Sequence, residues 1–95
     1  MKIYIAGKIT GDRNYRQKFA RVASQYREKG NVILNPAVLP TGMNSADYMR
    51  ICLAMIDTAD AVVFLPDWLN SRGASVELEY CNYIRKPTIM YDGNV

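Results

Sequence analysis

A carboxylate lying inside an apolar stripe is the residue of this sequence most in need of a chemical reason. In NSRGASVELEY, Asn70 to Tyr80, a helical repeat of about 100° per residue places Glu77 among Ala74, Leu78, Cys81 and Ile84, and turns Glu79 the opposite way. With Ser71 as N-cap, Glu77 falls within the first two helical turns. An acid withdrawn from water there can serve as a nucleophile or a base. The structural alternative is an acid that satisfies the helix start or pairs with Arg72 or Arg85. The chain has no histidine, which removes the commonest general base and metal ligand. Catalysis must then run on carboxylates, Tyr, Lys or Cys, and neither a metal nor an organic cofactor is expected.

Other chemistry-bearing residues cluster near the turns. GKITGD, Gly7 to Asp12, offers the backbone N–H groups of Gly7, Ile9 and Gly11 to an anion, with Lys8 and Thr10 as further donors. It matches neither G-x-G-x-x-G nor G-x-x-x-x-G-K-[ST], so no dinucleotide or triphosphate site is predicted, and a plain tight turn explains the glycines equally well. Among the acids around AVVFLP, strand direction favours Asp67, which follows the strand, over Asp57 and Asp60, which precede it. Asp60 reads as a turn or cap. Tyr4 can point its phenol into the same cleft or pack as a core tyrosine. Cys52 and Cys81 lack a C-x-x-C spacing and read as reduced packing residues.

The elements that must position these groups alternate. KIYIAG (Lys2 to Gly7) is a first strand, and Tyr15, Phe19, Val22 and Tyr26 mark a helix from Asn14 to a C-cap at Gly30. A second strand, Asn31 to Pro36, precedes a polar loop and a helix from Ala46 to Asp57 with Ser45 as N-cap. The continuously apolar Ala61 to Pro66 fits a strand buried on both faces; a helix Ser71 to Ile84 and a last strand Pro87 to Tyr91 follow. The pattern predicts one α/β domain over residues 1–95: a doubly wound, Rossmann- or flavodoxin-like parallel sheet of four to five strands with helices on both faces. Ligands then bind beyond the carboxyl ends of the strands, at the loops Gly7–Arg13, Asn35–Asn44 and Pro66–Gly73 and at the segment that follows Tyr91; Asn35, which opens the second loop, is a further binding candidate.

The formal charge of +3 comes chiefly from Arg13, Arg16, Lys18, Arg21, Arg27 and Lys29. They flank a regular apolar stripe, so a solvated helix face explains them and nucleic-acid binding is not expected. The absence of a leader or a membrane-length apolar run points to the cytoplasm. The helix 46–57 is apolar on most sides, which predicts a homo-oligomer with that helix in the interface.

KIYIAGKITG, the Asn-Pro after the second strand, the block DYMRICLAMIDTADAVVFLP, and SRGASVEL followed by RKP together resemble the nucleoside 2-deoxyribosyltransferase-like superfamily over nearly the whole chain. The likeness is greatest to a small branch common in phage and bacterial genomes. The S-x-G-x-x-x-E-L element is also similar to that of deoxynucleoside 5′-monophosphate N-glycosidases. The resemblance implies that Glu77 is a nucleophile that attacks C1′ of a 2-deoxyribosyl group and forms a covalent glycosyl-enzyme, as in a retaining glycosidase. It places Tyr4 near that nucleophile, and Gly7 to Gly11, Ser71 and Gly73 around a 5′-phosphate. The expected ligand is a nucleoside or nucleotide. Two departures are visible: Cys52 stands where the transferases carry an aspartate, and the segment after the last strand is short. They favour a rival expectation, a nucleotide-binding module without activity on the same fold.

Overall fold

The structure, a computed structural model, describes residues 1–95. Four parallel strands, β1 (Lys2–Ala6), β2 (Val32–Leu34), β3 (Ala61–Phe64) and β4 (Thr88–Met90), form one sheet in the order β2-β1-β3-β4. Three helices connect them: α1 (Tyr15–Glu28), α2 (Ser45–Thr58) and α3 (Arg72–Ile84). This is the predicted doubly wound α/β architecture. The chain runs from β1 outward to β2 and returns past β1 to β3, so the switch point lies between β1 and β3, where ligands bind in such sheets.

Alternation along the central strands builds two cores. Ile3, Ile5, Val63 and Leu65 pack with Phe19, Val22, Ala23 and Tyr26 of α1. Tyr4, Ala6, Val62 and Phe64 face the other way, against Cys52 and Ile56 of α2 and Cys81 of α3. A residue in β1 therefore reaches α3 only at an even position, the placement of Tyr4.

Boundaries follow caps. Asn44, not the expected Ser45, caps α2: its backbone is extended and its side chain accepts from Asp47 N at 2.9 Å. Both residue types cap well, and the backbone chose the earlier one. Ser71 caps α3 as expected, accepting from Ala74 N at 3.1 Å. Two 3₁₀ turns, Pro36–Val38 and Pro66–Asn70, begin at the prolines that end β2 and β3. The second carries Trp68 edge-on to Phe64, ring centroids 6.3 Å apart at 74°. On α2 the chain buries Cys52 and Ile56, leaves Tyr48, Met49, Leu53 and Met55 half-buried, and exposes Ile51. No helix is long and apolar enough to cross a membrane.

Candidate active site

Glu77 lies on the inner face of α3, and only 6% of its surface is exposed. The Tyr4 hydroxyl donates to its Oε2 at 2.6 Å, and Cys52 packs in the same core cluster as Tyr4. No cation is present: the ion pairs of the chain are Lys18–Asp12, Lys18–Asp67 and Arg50–Asp47. Neither alternative partner named from the sequence pairs with Glu77, and Arg85 instead takes the left-handed C-cap of α3, φ 59°.

The electrostatics follow from that isolation. Burial raises the Glu77 carboxyl to about 7, against the hydrogen bond from Tyr4 that pulls it down. Burial, then the proximity of Glu77, push the Tyr4 phenol well above its ordinary range, so Tyr4 remains a donor. Burial likewise raises the Cys52 thiol and takes Cys81 up to about 11. Both cysteines stay protonated at neutral pH. The result is a carboxyl poised to exchange its proton near neutrality, with its orientation fixed by a phenol.

Asp67 emerges from the 3₁₀ turn after β3, on the strand-end side its position predicted. Its Oδ1 accepts from Lys8 N at 3.0 Å and its Oδ2 receives Lys18 Nζ. Lys18 Nζ also bonds Asp12 Oδ2 and donates to Lys8 O at 2.8 Å. Burial pulls the Lys18 ammonium down, but the two carboxylates outweigh it and raise it above its ordinary value. The hydrogen bond from Lys18 is the chief cause that holds Asp12 below its own. Asp67 thus ties the turn after β3 to the loop after β1 through Lys8 and to α1 through Lys18, and no hydrogen bond links Asp67 to Glu77.

The remaining candidates line these same loops. A Cβ on Gly7 would lie 2.9 Å from Leu65 Cδ1, so only glycine fits there. Gly11 has φ +83°, the left-handed turn that glycine adopts freely. A Cβ on Gly73 would meet nothing closer than Met49 Cε at 3.9 Å; glycine is unnecessary for packing there, one residue after Arg72 opens α3. Its absent side chain leaves room beside the helix start that holds Glu77. Ile9 packs onto the α1 core, Thr10 is exposed, and Lys8 is half-buried with no ion-pair partner. Asn35 is buried, and its Oδ1 accepts from Ala37 N at 2.9 Å as the cap of the first 3₁₀ turn.

A family described as "Domain of unknown function (DUF4406)" matches residues 1–91. The chain belongs to this family. No curated protein matches it in sequence. Two solved structures are similar to the DUF4406 fold. One is the 2-deoxyribosyltransferase of the psychrotolerant bacterium Bacillus psychrosaccharolyticus, with TM-score 0.76 and 18% identity over 100% of this chain and 76% of that one. The other is the 2-desoxiribosyltransferase of Leishmania mexicana, with TM-score 0.75 and 21% identity over 95% of this chain and 63% of that one. The fold is therefore that of the nucleoside 2-deoxyribosyltransferases, and this DUF4406 chain spans about two thirds to three quarters of their lengths.

One residue bound into the candidate site escaped the reading of the sequence. Lys18 looked like one charge of a solvated helix face, and its partner Asp67 lies 49 residues away. No local signal could have found it.

Proposed function

We propose that this DUF4406 protein cleaves or transfers the N-glycosidic bond of a 2′-deoxynucleoside or its 5′-monophosphate, with Glu77 as nucleophile. The observation that carries the reading is a buried carboxylate with no cation, held by Tyr4 at 2.6 Å on a helix that starts at the ligand edge of a deoxyribosyltransferase fold. The ionised Glu77 attacks C1′, the C1′–N bond breaks, and its electron pair leaves with the base, which takes up a proton. An ester of Glu77 with the deoxyribosyl group remains, and water or a second base displaces it. The ion-like sugar of the transition state is positive, and a carboxylate in a poorly solvated site stabilises it more than water does. Tyr4 acts through Glu77 as a positioning residue. Gly7, Lys8, Ile9, Thr10, Gly11, Ser71 and Gly73 surround the 5′ side of the substrate.

One observation favours a second reading, a module that binds a nucleotide without breaking it. Both oxygens of Asp67 are engaged by Lys8 and Lys18, and Cys52 rather than an acid stands beside Glu77, so no free second carboxyl adjoins the nucleophile.

Incubation of the protein and its Glu77→Ala variant with 2′-deoxynucleosides and their 5′-monophosphates, with free base followed chromatographically, separates the two. Release by the native protein and none by the variant is the expected result. Nucleotide binding by calorimetry without release from any substrate refutes the enzymatic reading in favour of the binding module.

A further inference from the structure

The outer face of α3 takes no part in the site. At about 100° per residue, Arg72, Val76, Glu79 and Tyr83 fall on one stripe, roughly opposite the face that buries Ala74, Glu77 and Cys81. All four are exposed: Val76 at 46%, Tyr83 at 89%, and beside them Leu69, at the end of the preceding turn, at 70%. Three large apolar side chains, Leu69, Val76 and Tyr83, are thus exposed along this side of the helix and its leading turn, with Arg72 and Glu79 between them. Leu69, Arg72, Val76 and Glu79 line a shallow groove of about 450 Å³, which does not include Glu77.

The charges on the stripe identify what fits it. Arg72 and Glu79 stand seven residues apart, about 10 Å along the axis, too far to meet each other, and neither joins an ion pair within the chain. Their midpoint falls beside Val76, and so does the midpoint of Leu69 and Tyr83. A foreign partner of one charge sign would satisfy one of the two and oppose the other. An antiparallel copy of the same helix satisfies both.

We propose that this face docks a second copy of the chain, α3 against α3, across a two-fold axis beside Val76. Such an interface is isologous: Arg72 meets Glu79 of the partner subunit twice, Leu69 covers the partner's Tyr83, and Val76 approaches its own copy at the axis. The face differs from the one the sequence suggested. On α2 only Ile51 leaves a large apolar side chain exposed, at 36%, whereas α3 and its leading turn leave Leu69, Val76 and Tyr83. One helix pair is a small interface, so the dimer forms in a concentration-dependent way.

The test is a charge swap read by sedimentation or light scattering over a concentration series, with circular dichroism to verify folding. The native chain dimerises. Arg72→Glu or Glu79→Arg alone opposes like charges at two symmetry-related places and raises the dimer dissociation constant about tenfold or more. The double variant R72E/E79R restores dimerisation. Val76→Cys yields a symmetric intermolecular disulfide on mild oxidation. A native chain that stays monomeric at every concentration overturns the proposal. So does a dimer that ignores both single swaps, one that yields to Ile51→Glu instead, or a double variant that fails to recover.

Discussion

Glu77 and Tyr4 differ in what they contribute, and their pH behaviour separates the roles. If Glu77 attacks as the anion, base release rises with pH through the value of about 7 set chiefly by burial, and the acidic limb of kcat/KM falls there. Tyr4→Phe removes a hydrogen bond that lowers this value, so its limb lies at higher pH; a limb that stays in place refutes the positioning role of Tyr4. Folding stability carries the same signature. The folded value, about 7, exceeds the ordinary 4.5, so the folded chain holds this proton more tightly than the unfolded one. The resulting stability is complete below pH about 4.5 and is lost as pH rises through 7, by roughly 3 kcal/mol in the limit. Glu77→Gln, which stays neutral, therefore gains on the native chain from pH 5 to pH 8 in urea unfolding. An unchanged difference between the two pH values contradicts the burial account.

At the scale of the element, two glycines at loop and helix start make opposite predictions. Gly7→Ala drives a Cβ to 2.9 Å from Leu65 and costs about 1–3 kcal/mol. Gly73→Ala meets only ordinary contact with Met49 and removes a flexible residue from α3, so it raises stability by up to about 1 kcal/mol while weakening nucleotide binding at the space it fills. Thermal melts alongside calorimetry check both; a Gly73→Ala protein that binds as the native one does assigns that space no role. The same elements show what the sequence made legible. Strands were readable because the apolar runs KIYIAG and AVVFLP end at a glycine or a proline, and helices because Tyr15, Phe19, Val22 and Tyr26 recur at helical spacing and Ser71 precedes the α3 pattern. Glu77 was readable as an acid on the wrong stripe. The 3₁₀ turns were not: Pro36 and Pro66 announce an end to a strand, not the turn that follows. Asp67 was placed on the right side by strand direction, but its bonds to Lys8 and Lys18 depend on loops brought together only by the finished sheet.

For the whole molecule, the order β2-β1-β3-β4 puts the two longest strands at the centre and the two three-residue strands at the edges, where short strands limit edge-to-edge pairing. It also sets the loops after β1 and β3 around the gap between those strands, and leaves the outer face of α3 free for assembly. The chain has one tryptophan, and the fold sets it in the turn that carries Asp67, edge-on to Phe64 and three residues before Ser71. The protein thereby contains its own optical reporter. Excitation of Trp68 near 295 nm, about where tyrosine ceases to absorb, gives an emission signal from the rim of the cleft and from nowhere else, so a nucleotide titration followed by this fluorescence should saturate with the same dissociation constant as calorimetry, without a label.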